Sequence, residues 1–354
     1  MVPVVDLTRR HRRFGPDFAH AVERVLASGA VLLGDETAAL EAELAAVLHG
    51  SDAEVDVVAV ASGASALQLV LSGLGVGPGD EVIVPAFTAV PTASAVCATG
   101  AVPVFVDVVA ESAAIDPAAA AAAMTSRTKA VVVVHLYGHP APVEPLVALG
   151  VPVVEDAAQA HGALTGVAGT AAIYSFYPTK NVGGIGDGGA VVTADARLAA
   201  DVRRRRTHGA EQQYVHVEIS QNHRMSELEA AWLRLQLPAL GPGNDRRRVI
   251  AARYRAAAPR LRWPSGHVDH VFHQCVFRSS DRDVVRGALA ERGVATGVHY
   301  PLALPDQPAY RRFTTDPCPQ AVTWAAECIS LPCFPELTDD EVDHVASALE
   351  VLPG

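Results

Sequence analysis

Between about residues 55 and 195, short β-branched apolar runs alternate with longer stretches whose apolar residues recur at helical spacing. The runs Val57 to Val60, Val82 to Val84, Val102 to Val106, Val131 to Val134, Val151 to Val154, Ala171 to Ser175 and Ala190 to Thr193 predict strands. Several are apolar throughout, as strands covered on both faces are. Between the first two, Leu67, Val70, Leu71 and Leu74 fall on one helical face, and Gly75, Gly77, Pro78 and Gly79 end that helix. The pattern predicts an α/β architecture with a mostly parallel sheet covered by helices.

After residue 200 the texture changes. Ser226, Glu227, Leu228 and Glu229 form a capping-box sequence that opens a helix running to Leu240, with Trp232 in its core face. Gly241, Pro242, Gly243 and Asn244 predict a break, followed by a basic helix from Arg246 to Ala258. From about residue 268 a strand, helix, strand, helix pattern leads to a second capping box at Thr338 and Glu341. This places a large domain over 1–245 and a smaller C-terminal α+β domain over 246–354. The alanines from Ala118 to Ala123 read as helix.

Composition narrows the function classes. Thirty-nine acidic against 28 basic residues give a net charge of −11, which argues against nucleic acid or an anionic membrane as partner. No apolar run reaches the roughly 18 residues of a membrane span, and Arg9, Arg10, Arg12 and Arg13 are not followed by the apolar stretch of a signal peptide. Five scattered cysteines without paired spacing suggest neither disulfides nor a metal site. A cytoplasmic protein is expected.

In an open α/β sheet, ligands bind beyond the carboxyl ends of the strands. After the first strand come Ser62, Gly63, Ala64 and Ser65, a small-residue turn into a helix whose free N–H groups suit a phosphate, although such residues also serve as ordinary caps. After the fifth run come Glu155 and Asp156. Neighbours on a strand face opposite ways, so these two acids are not expected to act as a pair, and each needs its own partner. After the sixth run come Phe176, Tyr177, Pro178, Thr179 and Lys180, then Gly183, Gly184, Gly186, Gly188 and Gly189. The chain has 26 arginines and only two lysines, Lys129 and Lys180. Where arginine fills nearly every basic position, a lysine in apolar, glycine-rich surroundings points to carbonyl condensation, which a guanidinium does not perform. A phosphate cradle, a strand-end acid and a lone lysine are together the anchors of pyridoxal phosphate.

With these residues in view, the sequence resembles the DegT/StrS family of sugar aminotransferases, of the fold type I shared with aspartate aminotransferase. The resemblance runs nearly end to end. It rests on Ser62 to Leu67, Gly79 to Pro85, His135 to Gly138, Glu155 to Gly162, Ser175 to Lys180, Gly186 to Gly189, Asn222 to Met225, Gly297 to Pro301 and Leu331 to Pro335. It implies that Lys180 forms a Schiff base with the coenzyme and carries the proton in catalysis. It implies Asp156 on the pyridine nitrogen, Gln159 on the ring 3-hydroxyl, and Ala64, Ser65 and Ser175 on the phosphate. Asn222 would reach the phosphate of the neighbouring subunit's coenzyme, making a homodimer with shared sites. The reaction implied moves an amino group from an amino acid, L-glutamate in the first instance, to a keto group of a nucleotide-linked deoxy sugar, as in antibiotic or surface-glycan sugar biosynthesis.

The sequence also departs from the family. Ala89 stands where the family commonly has an aromatic residue that stacks on the coenzyme, so the stacking falls to Phe87, to another side chain, or is weaker. Tyr177 replaces a common histidine and is associated with members acting on 3-keto-6-deoxy sugars. Tyr177, Arg224, His299 and Tyr300 are the expected substrate contacts, His161 is read as a packed residue, and Arg203 to Arg206 as a solvated helix face. The alternatives are a keto-cyclitol aminotransferase of the same family and a non-catalytic regulator on the coenzyme fold. A sugar deoxygenase is disfavoured by Lys180, and a nicotinamide dehydrogenase by the absence of G-x-G-x-x-G after the first strand.

Overall fold

In the computed structural model of the chain, which describes residues 1–49, 54–163, 166–265, 268–313 and 316–352, the apolar runs form one seven-stranded sheet. The strands are β1 (Asp56–Val60), β2 (Glu81–Pro85), β3 (Val102–Val106), β4 (Thr128–Val134), β5 (Val153–Asp156), β6 (Ala171–Ser175) and β7 (Gly189–Thr193). Their spatial order is β1-β7-β6-β5-β4-β2-β3, and β7 alone runs antiparallel to its neighbours. Two helices precede the sheet, α1 (Leu7–Ser28) and α2 (Asp35–His49). The connections carry α3 (Gly63–Gly73), α4 (Val90–Ala98), the short α5 (Pro117–Ala122) and α6 (Glu144–Val147), and α7 (Ala196–Arg205).

Alternation along each strand feeds two cores. Val58 and Val60 join Leu67 and Val70 on one face, while Val57 and Ala59 join Leu40, Leu44 and Trp232 on the other, all buried. The hairpin β8 (Ala210–Gln212) and β9 (Val215–His216) leads to α8 (Glu227–Gln236). Beyond it lie α9 (Leu240–Ala257), β10 (Cys275–Arg278), α10 (Arg282–Glu291), α11 (Pro319–Glu327), β11 (Cys328–Leu331) and α12 (Asp339–Glu350). β10 and β11 pair antiparallel and share a core with Ile250, Tyr254, Leu289 and Val345.

Three expectations change. The break at Gly241 to Asn244 is absent: α9 is continuous from Leu240. Pro242 sits in its first turn, where a missing N–H and a fixed φ cost nothing. Leu240, at its start, packs in the large core and Tyr254 in the small one. At α8, Ser226 accepts the Glu229 N–H, but the Glu229 carboxylate accepts from the Gly186 N–H at 3.1 Å instead of closing the box; the Thr338–Glu341 box closes fully. Arg203 to Arg206 are not a solvated face. They pair with Asp56, Asp201, Glu218 and Glu41.

Candidate active site

The carboxyl ends of β1, β5 and β6 and the start of β7 meet around a cavity of about 400 Å³. Ser62 caps α3 with its hydroxyl on the Ser65 N–H (3.1 Å), which leaves the N–H groups of Gly63 and Ala64 without an acceptor among the described residues. A side chain on Gly63 would bring a Cβ to 2.6 Å from the Ser175 Cβ, and one on Gly189 to 2.4 Å from the Ser62 carbonyl. Glycine at both positions lets α3, β6 and β7 close up. The Ser175 hydroxyl then stands beside the positive end of a helix, an arrangement suited to a phosphate.

Asp156 ends β5 and is buried, as is Glu155. The Asp156 carboxylate accepts from the Thr92 hydroxyl (3.0 Å) and the Ala158 N–H (3.1 Å). Burial nonetheless raises its pKa, with those two hydrogen bonds and the charge of Lys180 pulling the other way. Such a carboxylate is poised to bind a cation. Gln159 is held at both ends, its amide oxygen accepting from the Tyr137 N–H (2.6 Å) and its amide nitrogen donating to the Tyr300 hydroxyl (3.1 Å). Tyr137 has φ +62°, in the left-handed region, and is buried.

Lys180 lies one turn beyond β6 and lines the cavity. Burial lowers its pKa to about 8, and the attraction of Asp156 offsets this only in part. The glycine-rich segment that follows is gripped by α8: the Trp232 indole N–H (2.9 Å) and the Gln236 amide (2.8 Å) both donate to the Gly183 carbonyl, and Glu229 holds Gly186.

Of the residues singled out in the sequence, Ala64, Asp156, Gln159, Ser175, Tyr177 and Lys180 line this cavity. Ser65 does not: its N–H and hydroxyl face Ser62. Phe87 lies in the core, stacked on Trp324 (6.1 Å) with its edge toward Tyr300, so the wall at this level is Ala89. Tyr300 is bonded to Gln159 and does not itself line the cavity. His299 bonds Ser330 (2.8 Å) and lines a separate pocket of about 70 Å³ with Thr179 and Arg247. Asn222 is exposed and Arg224 half-buried; the two are bonded to each other (2.9 Å) and lie outside the cavity of their own chain. His161 is buried between Tyr174 and Phe176, and burial lowers its pKa to about 3, as a packed neutral ring requires. Thr88 and Thr92 escaped the sequence reading, and Asp187 and Glu229 entered it only as members of a motif and a capping box. Thr92 meets Asp156 from 64 residues away, and no local pattern marks it.

A lysine with a lowered pKa, a buried acid, and helix-end donors beside a serine hydroxyl fit pyridoxal phosphate on their own geometry. The model of the DegT/DnrJ/EryC1/StrS aminotransferase family matches residues 13–350. The chain belongs to this family. Among members of the DegT/DnrJ/EryC1/StrS aminotransferases, it is 41% identical to the dTDP-3-amino-3,4,6-trideoxy-alpha-D-glucose transaminase of Streptomyces venezuelae, over 98% of this chain and 95% of that one. The solved structure of S. venezuelae DesV in complex with a ketimine intermediate superposes with a TM-score of 0.94 at 40% identity, covering 99% of this chain and 97% of that one. NtdA from Bacillus subtilis, solved with bound cofactor PMP, gives a TM-score of 0.90 at 28% identity, over 98% and 84% of the two chains. The fold is therefore that of the pyridoxal-phosphate aminotransferases, and the coenzyme of this DegT/StrS-type chain is pyridoxal phosphate.

Proposed function

We propose that the chain moves an amino group from an amino acid, L-glutamate foremost, to a keto group of a nucleotide-linked deoxy sugar of the 3-keto-6-deoxyhexose type. The opening of Lys180 and Asp156 onto one cavity, with the α3 N-terminus beside it, carries the reading. The sugar class rests on relatives named as transaminases of dTDP-linked amino sugars. When bound, the coenzyme supplies an electron sink for the carbon that loses or gains a proton. Asp156 holds the ring's positive charge. The N–H groups at the start of α3 and the Ser175 hydroxyl bind the phosphate. The Nζ of Lys180 would move the proton between the substrate carbon and the coenzyme, in one direction in the first half-reaction and in the reverse direction in the second; a pKa near 8 suits both roles at neutral pH.

Tyr177, half exposed on the cavity rim, is the side chain we assign to the sugar. Asn222 and Arg224 lie outside their own cavity, and the segment before them in the chain exposes Tyr214, Val217 and Ile219. This supports a homodimer in which Asn222 serves the partner's site, in a cytoplasmic enzyme. Among the described residues, no helix is long and apolar enough to cross a membrane.

The test is a two-stage reaction: protein loaded with pyridoxal phosphate is treated with L-glutamate, then with nucleotide-linked 3-keto-6-deoxy sugars. We expect 2-oxoglutarate in the first stage and an aminated sugar nucleotide in the second. Turnover with keto-cyclitols alone would transfer the assignment to that class, and turnover by a Lys180→Ala protein would end the mechanism.

A further inference from the structure

We propose that Arg10, reaching in from α1, is a positioning residue that clamps the turn carrying Lys180 and so fixes where the lysine's amine enters the cavity. The inference rests on the reading of Lys180 as the condensing amine. Four arginines stand near the start of α1, and their fates differ. Arg12 and Arg13 are exposed, Arg9 pairs with Glu341 at 2.7 Å, and Arg10 is 5% exposed.

Burying a guanidinium is costly unless its donors are satisfied. Among the described residues Arg10 has no carboxylate within ion-pair distance. Its Nη1 instead donates to two backbone carbonyls, those of Pro178 (2.9 Å) and Lys180 (3.0 Å). These belong to the turn closed by the Lys180 N–H on the Tyr177 carbonyl (2.8 Å). One cation therefore ties together the two carbonyls that bracket Thr179, on the side of the turn away from the cavity.

The approach is a tight fit. A Cβ on Gly183 would lie 2.3 Å from Nη1 and 2.2 Å from the Pro178 oxygen, so this glycine makes room for the clamp. The opposite side of Gly183 is fixed by Trp232 and Gln236. Trp232 in turn receives the edges of His11, Phe14 and Phe18 from α1, at 5.4, 6.2 and 5.2 Å between centroids. Those aromatic contacts and the Arg9–Glu341 pair already dock α1. The two Arg10 hydrogen bonds relate that docked helix directly to the lysine turn. A long side chain on an unanchored turn samples many directions, and a displacement of about 1 Å at a reacting atom can cost up to about 10²-fold in rate.

The chain's two lysines make the test direct, because exposed Lys129 is an internal reference. Coenzyme-free parent, Arg10→Met, Arg10→Lys and Arg10→Gln proteins are mixed with pyridoxal phosphate and the condensation rate is followed by absorbance. The adduct is fixed with borohydride and located by peptide mass. The same proteins are labelled with a small amine-acylating reagent to give the Lys180 to Lys129 ratio, and circular dichroism and melting temperature report folding. We expect Arg10→Met to slow condensation by about tenfold or more, to alter the labelling ratio through Lys180 alone, and Arg10→Lys to recover part of the rate. Folded variants that condense and label as the parent does overturn the proposal, as does a slowing that follows only melting temperature with Lys no better than Met. If the Met protein does not fold, the Lys and Gln proteins decide by the same two readouts. A parent that forms no adduct at Lys180 ends the functional reading itself, and this inference with it.

Discussion

Glu155 and Asp156, neighbours at the end of β5, point to opposite sides of the sheet and do unrelated work. Glu155 faces away from the cavity, bonded to His135 Nε2 (3.0 Å) and the Gly169 N–H (2.8 Å). The Ala141 N–H donates to the other ring nitrogen of His135 (3.0 Å), so that ring carries its hydrogen on Nε2 and donates it to Glu155. Asp156 faces the cavity and is bonded to Thr92 and Ala158. One acid joins β4, β5 and the following loop; the other waits for a cation.

That division predicts a clean separation of phenotypes. Glu155→Gln leaves a buried donor facing either His135 or Gly169 and should lower stability by about 1–3 kcal/mol, with activity per folded molecule retained. Asp156→Asn should fold with near-parental stability and, if Asp156 holds the coenzyme's ring nitrogen as proposed, lose about 10²-fold or more in kcat through the missing charge. Melting curves and kcat for the two proteins check this, and matching profiles would refute the division.

The two lysines should differ as sharply. Lys129 is exposed near the start of β4, where only its charge and stem are presented to solvent, and Lys129→Arg should retain activity within about twofold. Lys180→Arg keeps a positive charge but no amine able to condense with an aldehyde, and should lose more than about 10³-fold. Equal losses in a coupled transamination assay would undo the reading of Lys180.

The sign of the Lys180 shift sets a pH dependence. Its pKa is lowered to about 8, so the neutral amine is roughly a tenth of the population at pH 7 and the majority above pH 8. Condensation of coenzyme-free protein with pyridoxal phosphate should therefore quicken about fivefold from pH 7 to pH 8 and level off above pH 9. A rate that keeps climbing to pH 10.5 would show an ordinary, unshifted lysine.

The strands and most of the residues that line the cavity were legible in the chain because each is a local signal. A β-branched run specifies a buried strand, and the residues just after it are those at the carboxyl end of the sheet. Lys180 stood out only because arginine fills the other basic positions. What was not legible came from distant parts of the chain meeting. Arg10 is one of four arginines near the start of the chain, and nothing near it signals that Gly183 leaves room for it. Thr92 sits in an unremarkable helix start until β5 brings Asp156 beside it. Glycine and proline at 241 to 243 read as a break because a pattern does not show that Pro242 falls in the first turn. That the Ser65 N–H is taken up by the Ser62 hydroxyl likewise shows only once the turn is folded.

Glu229 offers a test at the far edge of the site. It is 5% exposed, and its Oε1 has no hydrogen-bond partner while Oε2 accepts from Gly186. Burial, assisted by the charge of Asp187 and opposed by the Gly186 and Ile185 N–H groups, raises its pKa to about 7. For an acid whose folded pKa exceeds the unfolded value, the native state binds more protons between the two, so stability falls as pH rises from about 4.5 to 7 and stays lower above. The cost at pH 8 is at most about 3 kcal/mol. Glu229→Gln keeps an acceptor for Gly186 and removes the charge. Its melting temperature relative to the parent should therefore be several °C more favourable at pH 8 than at pH 5. A difference independent of pH would mean that the carboxylate does not titrate in this range, and that the glycine loop beside Asp187 is held the same way on both sides of neutrality.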